Sequence, residues 1–325
     1  MGIREVGDSV VIMGPTAVGK SDVAVLVAER LGGEIVSADS MQIYRGLDIG
    51  AAKPSAELRA RVPHRMIDVA DPDEDYSVAR YRRAAGEAIA DVFARSGVPV
   101  IVGGTGLYLH SLIYDMDFGG AKPDGGARAA YERLASERGA EHVHGLLARR
   151  APEAAAKIHP NNVKRVIRAL ERVSANDAGE SAADVSGAYK PFGFSLRGGG
   201  LIDPALFLLT RERADLVRRI GERVDAMMRA GLVEETERLA KRGLTTKHLA
   251  MLGIGYKETL GYLNGEYGLE EAIELIKIHT RRYAKRQTTW FKRYEDARVV
   301  DLTATSESEA AAEIVARVQP EFDLD

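Results

Sequence analysis

Apolar positions along the chain follow two alternating patterns. Short, mainly apolar runs typical of the buried strands of a parallel sheet occur at residues 10–13, 34–38, 98–102 and 206–209. A further short strand is predicted within residues 63–68. Between these runs, apolar residues recur every three or four positions, as in residues 22–31 and 78–95, which predicts helices with one buried face. The alternation predicts an α/β fold in which helices flank a doubly wound parallel sheet.

The pattern changes between residues 119 and 200. Polar, alanine-rich segments with helical periodicity replace the buried strands and predict helices at 127–138, 141–150 and 163–173. Glycine-rich sequences at 118–120 and 197–200 border the region, as is typical of linkers. We therefore predict an all-helical insertion domain at 119–200 inside a discontinuous core formed by residues 1–118 and 201–325. Further helices of the core are predicted at 211–229, 232–242, 257–264 and 269–291.

A glycine-rich loop joins the first predicted strand to the first predicted helix. It matches the pattern G-x-x-x-x-G-K-[ST] without departure and consists of Gly14, Pro15, Thr16, Ala17, Val18, Gly19, Lys20 and Ser21. Backbone N–H groups of such a loop converge on phosphate oxygens, the lysine adds a positive charge, and the serine hydroxyl can bind Mg²⁺. We therefore predict a P-loop NTPase-like core that binds a diphosphate, with Ser21 as a ligand of Mg²⁺. The alternative is a glycine turn without a ligand.

Two further loops are expected at the same edge of the sheet. Asp39 follows the second predicted strand, and open α/β sheets place ligand-binding groups at the carboxyl ends of their strands, so we expect this carboxylate to face the phosphate loop as a base. The run at 98–102 ends in Gly103, Gly104 and Thr105. Many phosphate-loop ATPases have an aspartate there that supports Mg²⁺, so ordinary ATP hydrolysis is disfavoured. Thr105 either offers its hydroxyl to a ligand or caps the next helix.

Composition excludes several classes of site. The 325 residues contain no cysteine, which rules out disulfide frameworks, thiol nucleophiles and cysteine zinc sites. The N-terminus lacks a signal-peptide pattern, and no apolar run approaches the roughly 20 residues of a membrane span, so we expect a soluble, cytoplasmic protein that does not bind a membrane. Because the net charge is −3, a nucleic-acid partner would need a local basic surface.

Two segments could provide that basic surface. Residues 277–293 contain seven lysines and arginines and no aspartate or glutamate, interleaved with Tyr283, Trp290 and Phe291. Cations for the backbone and aromatic rings for the bases suit a nucleic acid. A second cluster lies in the predicted insertion and comprises Lys164, Arg165, Arg168 and Arg172. For both segments the alternative is a solvated basic surface without a partner.

Six ordered motifs carry a resemblance to a known family. They occupy residues 14–21, 37–50, 52–54, 102–108, 253–258 and 284–291, and read GPTAVGKS, SADSMQIYRGLDIG, AKP, VGGTGLY, GIGYKE and AKRQTTWF. Over nearly its whole length the chain resembles the bacterial tRNA dimethylallyltransferases of the IPP transferase family. The resemblance implies transfer of a dimethylallyl group from dimethylallyl diphosphate to N6 of adenosine 37, in tRNAs that read codons beginning with U. We also expect a monomer.

The resemblance implies a role for each matching position. The phosphate loop would bind the diphosphate, with catalytic contributions from Thr16, Lys20 and Arg223, and Asp39 would accept the N6 proton as general base. Arg219 either shares the stabilisation of the leaving group or has only a surface role. Contacts with the anticodon stem-loop of tRNA would fall on Asp39, Ser40, Met41, Gln42, Thr105, Arg128, Lys164, Arg165, Val166, Ile167, Arg168 and the segment 252–257, which includes Gly255, Tyr256 and Lys257.

A few positions depart from the pattern of the family. Ala51 stands where threonine is usual and Leu252 where glutamine or arginine is usual, and each change removes one potential polar contact. Arg65 follows His64 where a second histidine is often found. The segment 175–200 is unlike the usual family sequence, which leaves its contacts open. None of these departures falls on the residues expected to carry the chemistry.

Three other functions remain open from the sequence. A small-molecule kinase would bind ATP in the same loop and use Asp39 as a base toward a hydroxyl, but it would not account for the basic segments or the insertion. An adenylate isopentenyltransferase would share the donor and accept a free nucleotide, in a shorter chain. A protein that only binds its ligand is disfavoured because Lys20, Ser21 and Asp39 are all present.

Overall fold

The computed structural model describes residues 9–114, 125–177, 201–202 and 204–322. The chain divides into two compact units, a first unit formed by Met1–Asp115 with Phe194–Asp325 and a helical unit formed by Met116–Gly193. The domain boundaries predicted near residues 118 and 200 fall in or beside segments outside the described residues and stay a prediction. None of the described helices is at once long enough and apolar enough to cross a bilayer.

A six-stranded parallel sheet forms the centre of the first unit. In chain order its strands are β1 (Val10–Met13), β2 (Glu34–Ser37), β3 (His64–Arg65), β4 (Pro99–Gly103), β5 (Ala205–Thr210) and β6 (Arg298–Asp301). They lie in the order β3-β2-β4-β1-β5-β6, and every neighbouring pair is parallel. All carboxyl ends therefore meet at one edge of the sheet. The predicted α/β fold with a P-loop-like parallel sheet is confirmed.

Strand β1 shows how the sheet is covered. Val10 and Ile12 belong to one hydrophobic cluster, whereas Val11 and Met13 belong to another, because successive side chains of a strand point to opposite faces. All four side chains are fully buried. Both faces of the central strand are thus covered, which explains why its sequence is continuously apolar rather than alternating.

Helices cover both faces of this sheet. Within the described residues of the first unit they are α1 (Lys20–Leu31), α2 (Ala56–Arg61), α3 (Val78–Ala94), α4 (Gly106–Ile113), α9 (Arg213–Arg229), α10 (Leu232–Lys241), α11 (Tyr256–Leu263), α12 (Leu269–Phe291) and α13 (Glu307–Phe322), and a 3₁₀ turn, Leu249–Leu252, precedes α11. Helices α1 and α13 pack together on the face of Val10 and Ile12. Helices α3, α4, α11 and α12 contribute to the cluster on the other face.

Two glycines bring the loops at the carboxyl edge close together. Gly19, directly before α1, has a φ of 113°, in the left-handed region that glycine adopts without strain. Gly103 is the last residue of β4, and a Cβ at this position would lie 2.1 Å from the carbonyl oxygen of Ala38. Any side chain at residue 103 would therefore displace the turn that begins with Asp39.

The helical unit has a small core of its own. Its described part consists of α5 (Gly125–Arg138), α6 (Ala140–Arg150), α7 (Pro152–Ala156) and α8 (Val163–Asp177). A hydrophobic cluster that includes Val143, Leu147, Val166 and Leu170 holds these helices together. The three helices predicted from periodicity correspond to α5, α6 and α8, with ends that differ by a few residues. Most of the segment 175–200 lies outside the described residues.

Candidate active site

A cavity of about 830 Å³ opens at the carboxyl edge of the sheet. Three stretches of its wall are the phosphate loop, the turn that follows β2 and the face of α9 that carries Arg219 and Arg223. Residues of α12, among them Tyr283 and Gln287, form another part of the wall. The structure thus brings together the phosphate loop, Asp39 and the basic helix that the sequence singled out.

The phosphate loop is held by side chains from the second half of the chain. Arg223 donates from Nη1 to Oγ1 of Thr16 at 3.2 Å, and Arg219 donates from Nε to the carbonyl oxygen of Ala17 at 3.0 Å. These two arginines are four residues apart on α9, so they lie on the same face of the helix. Arg219 therefore contacts the loop directly, and of its two predicted roles the surface role is wrong.

Lys20, the first residue of α1, lies against the loop that it ends. Its Nζ donates to the carbonyl oxygen of Pro15 at 2.8 Å. Burial and the positive charge of Arg223 together lower the pKa of Lys20 to about 7, although the negative charge of Asp39 opposes both effects. An anion bound in the loop would restore the charge of this lysine, because opposite charges favour the ionised form.

Asp39 faces the same cavity from the turn after β2. Its Oδ1 accepts the N–H of Met41 at 2.8 Å and that of Gln42 at 3.4 Å, which fixes the carboxylate at the start of the turn. Among the described residues, no donor forms a hydrogen bond with the other oxygen, Oδ2. The carboxylate is therefore positioned by its own turn and keeps one oxygen available to a ligand in the cavity.

Hydrogen bonds between uncharged groups also hold this turn in place. Oγ1 of Thr105 accepts the N–H of Ser40 at 3.0 Å, and Oγ of Ser37 donates to Oε1 of Gln42 at 2.9 Å. Thr105 occupies the N-cap position of α4, but its side chain makes no cap hydrogen bond. The predicted capping role of its hydroxyl is therefore wrong, and the hydroxyl supports Ser40 instead.

Ser21 and Asp22 line the cavity next to Lys20. No group of three or more His, Asp or Glu side chains that could hold a metal ion occurs in the described part of the chain. One hydroxyl beside the phosphate loop leaves the remaining ligands to phosphate oxygens and water, which is how Mg²⁺ commonly binds with phosphorylated substrates. The residues present therefore fit an ion that arrives with a diphosphate.

Residues predicted to contact RNA separate into exposed and buried groups. Lys164, Arg165 and Lys257 are exposed. Arg128 and Arg168 form ion pairs with the same buried carboxylate, Glu171, at 3.0 and 3.2 Å. The two arginines share one counter-charge, which reduces the positive potential that they present to solvent.

Three of the predicted RNA contacts need correction. Val166 and Ile167 are buried in the core of the helical unit, because they lie on the apolar face of α8. Tyr256 is fully buried, and its hydroxyl donates to Glu235 at 2.6 Å. The side chains of these residues are not available to a nucleic acid.

The aromatic residues of the basic segment 277–293 also differ from expectation. Phe291 is fully buried, Tyr283 lines the cavity, and Trp290 packs so closely on Gly106 that a Cβ there would lie 2.3 Å from its Nε1. Cations of the same segment, such as Arg282 and Lys285, are exposed. Helix α12 therefore presents charge to solvent and uses its aromatic rings for packing.

Sequence reasoning missed Glu235, a buried carboxylate on α10. It is 1% exposed, and its two oxygens accept the backbone N–H groups of Asp48, Ile49 and Gly50 at 3.0 to 3.2 Å. The loop held in this way continues to Ala52, whose carbonyl oxygen accepts a hydrogen bond from Gln42. Glu235 thereby supports the turn of Asp39 from a distance, and nothing in the periodicity of α10 marks it out from other glutamates.

Comparisons with known proteins agree with this site. The profile of the family described as IPP transferase matches residues 42–294, and that of the isopentenyl transferases matches residues 8–63. The chain is 46% identical over 305 residues to a tRNA dimethylallyltransferase of Alkaliphilus oremlandii, covering 94% of this chain and 95% of the relative. It is 47% identical over 297 residues to one from Geobacillus thermodenitrificans, covering 90% of each.

Solved structures give the same result for the fold. The full-length tRNA isopentenylpyrophosphate transferase from Bacillus halodurans superimposes with a TM-score of 0.70 at 38% identity, covering 98% of this chain and 99% of that one. A eukaryotic dimethylallyltransferase described as acting on tRNA superimposes with a TM-score of 0.79 at 26% identity, covering 97% of this chain and 79% of that one. The family profile spans more than half of the chain, and the chain belongs to the IPP transferase family.

Proposed function

We propose that this protein is a tRNA dimethylallyltransferase. It transfers the dimethylallyl group of dimethylallyl diphosphate to N6 of adenosine 37, in tRNAs that read codons beginning with U, and it releases diphosphate. The observation that carries the proposal is the placement of a phosphate loop and a positioned carboxylate, Asp39, on the wall of one cavity. The relatives named tRNA dimethylallyltransferase support the identity of both substrates.

The diphosphate of the donor binds at the phosphate loop, residues 14–21. Lys20 and Arg223 stabilise the negative charge that grows on the diphosphate as the bond between carbon and oxygen breaks, and the Thr16 hydroxyl is oriented by Arg223 for the same purpose. Arg219 maintains the shape of the loop. Ser21 would hold Mg²⁺ together with phosphate oxygens, and the ion would supply further charge neutralisation.

The acceptor is an adenine extruded from the anticodon loop into the cavity. As its N6 amine attacks the allylic carbon, a C–N bond forms, the C–O bond to diphosphate breaks, and Oδ2 of Asp39 takes the proton lost by N6. Ser40, Met41 and Gln42 border the space for the base. The exposed cations Lys164, Arg165 and Lys257 bind phosphates of the anticodon stem-loop.

The competing functions differ in what they require. A small-molecule kinase needs ATP in place of dimethylallyl diphosphate, and an adenylate isopentenyltransferase needs no RNA surface. The exposed cations of α8 and α12 favour the tRNA acceptor. A tRNA substrate agrees with a cytoplasmic location, which we propose together with a monomeric state.

The test is a direct assay of the product. Purified protein is incubated with Mg²⁺, dimethylallyl diphosphate and an unmodified tRNA with adenosines at positions 36 and 37, followed by mass analysis of the nucleosides. Parallel reactions replace the tRNA by AMP or add EDTA. N6-(dimethylallyl)adenosine from tRNA alone, lost with EDTA, is the expected result. Modified AMP would assign the protein to the free-nucleotide class, and absence of both products would contradict the proposal.

A further inference from the structure

Gln287 joins two loops of the active-site cavity through a single buried amide. It lies on α12 and is 5% exposed. Its Oε1 accepts the backbone N–H of Thr16 at 2.8 Å, and its Nε2 donates to the carbonyl oxygen of Gly104 at 2.9 Å. One side chain therefore ties the beginning of the phosphate loop to the turn after β4.

Both ends of the amide have a fixed role. The N–H of Thr16 can only donate and the carbonyl of Gly104 can only accept, so the orientation of the amide follows from its partners. The fit is close, because a Cβ at Gly104 would lie 2.3 Å from Nε2. The bond also removes the N–H of Thr16 from the set that can bind an anion, which leaves the Thr16 hydroxyl for the ligand.

Gly104, the second partner of Gln287, is connected to the turn that carries Asp39. Gly104 lies between Gly103, which packs against the carbonyl oxygen of Ala38, and Thr105, whose N–H donates to that same oxygen at 3.1 Å. Ala38 directly precedes Asp39. Gln287 thus connects Thr16, on the side of the leaving group, to the backbone that carries the base.

We propose that Gln287 is a positioning residue for the transfer reaction. It sets the distance between the Thr16 hydroxyl with its partner Arg223 and the carboxylate of Asp39, and so aligns the leaving group with the base; this inference rests on the proposed function. A shift of about 1 Å between groups on opposite sides of a reacting bond can cost about 100-fold in rate. The effect should appear in kcat and leave the affinity for tRNA unchanged.

The sharpest variant is Gln287→Glu, because it has nearly the same shape. An ionised carboxylate still accepts from Thr16, but it opposes the carbonyl of Gly104 without a proton between them. A protonated carboxyl accepts from Thr16 and donates to Gly104, which is the pattern of the native amide. Other titratable or charged groups around the cavity include Asp39, Lys20, Arg223, Tyr283 and Arg286. The variant is therefore compared with the wild type at each pH, so that their titration cancels.

We expect the rate of Gln287→Glu to be reduced about 100-fold near pH 8, relative to the wild type. This deficit should shrink several-fold as the pH falls toward 5.5. Gln287→Met is neutral and makes neither bond, so its deficit should be of similar size and independent of pH. A near-normal Gln287→Met would show that only the charge of the glutamate matters, and it would overturn the proposal. Thr288→Val, next on the same helix, is the control, because the Thr288 hydroxyl donates to the carbonyl oxygen of Ala284 within the helix and bonds to no loop of the cavity among the described residues.

A double variant tests whether Gln287 acts through Thr16. Thr16→Ala removes the hydroxyl that Gln287 is proposed to place, so Gln287→Met should cost much less in that background than in the wild type. Fully multiplicative effects would contradict the proposed route. Thermal unfolding and tRNA affinity of each variant report on folding. A wild type that makes no product overturns the proposed function, whereas an active wild type with normal Gln287 variants overturns only this inference.

Discussion

The phosphate-loop end of the cavity and helix α8 of the helical unit use the same types of side chain in different ways. At the loop, Lys20, Arg219 and Arg223 each hold one particular oxygen of the chain at 2.8 to 3.2 Å. On α8, Lys164 and Arg165 extend into solvent. The first group is half-buried and has fixed partners, whereas the second forms a charged surface.

The difference determines how each group acts. Charges in a buried site interact strongly and with little reorganisation, so the loss of one atom changes the rate of the reaction. Exposed charges are screened by salt over about 10 Å at 0.1 M ionic strength. Their contribution to nucleic-acid affinity depends mainly on how many phosphates they neutralise. Substitutions at the two sites should therefore change different measured quantities by different amounts.

The largest effect is expected at Asp39, the carboxylate whose negative charge partly offsets the lowering of the pKa of Lys20 and of Arg223 by burial. Asp39→Asn keeps the shape of the side chain and removes the base, so the single-turnover rate should fall by about 10²–10⁴-fold. The affinity for tRNA should stay within about twofold, since no exposed cation is changed. Asp71→Asn, at an exposed ion pair with Arg45, is the control. Normal turnover by Asp39→Asn would exclude this residue as the base.

The next effect is expected at Arg223. Arg223→Lys keeps the positive charge but cannot reproduce the planar donor geometry that reaches Thr16, so kcat should fall by about 10²-fold. Arg229→Lys makes the same change at an exposed position of the same helix and should have almost no effect. Equal rates for the two variants would show that only net charge matters at the loop, and the contrast with α8 would disappear.

The parts of the fold and of the site that were predicted from the sequence are contiguous in the chain. The phosphate loop, Asp39 and the central strands follow from local patterns, since a turn motif and a run of apolar residues are contiguous in the chain. Strand β1 was predicted with its observed ends, residues 10–13. Strand β6 was not predicted, because the burial of its four residues is confined to Val300.

Contacts between distant parts of the chain could not be predicted in this way. Gln287 reaches Thr16 across 271 positions, and Glu235 reaches the loop at 48–50 from α10. A buried glutamine or glutamate has the same place in a helical pattern as an exposed one. The same limitation explains the error at Val166 and Ile167, where residues between cations in the sequence lie on the apolar face of α8.

Lys20 provides a test that depends on pH. Burial lowers its pKa in the folded protein from 10.5 to about 7, so between pH 7 and 10.5 the unfolded state binds more protons than the native state. The free energy of unfolding should therefore rise with pH in this window, by roughly 1–3 kcal/mol, until both states are neutral. In Lys20→Met this rise should be absent, while Lys247→Met, at an exposed position, should keep it. Denaturant unfolding near pH 6.5 and pH 9 gives the comparison, and identical pH dependence in all three proteins would show that Lys20 is not buried as a charge.

The smallest effect is expected on α8, and it completes the comparison because it concerns affinity alone. Lys164→Ala removes one exposed cation, so tRNA affinity should fall by a few-fold and the slope of log K against log salt should become shallower by about 0.7–0.9. Lys157→Ala, an exposed lysine outside α8, is the matched control within the helical unit. The rate at saturating tRNA should stay normal, because a phosphate contact that is equal in the ground state and the transition state does not change kcat. A reduced kcat with an unchanged salt slope would place Lys164 among the groups that act by position, and the distinction between the loop cations and the exposed cations of α8 would fail at this residue.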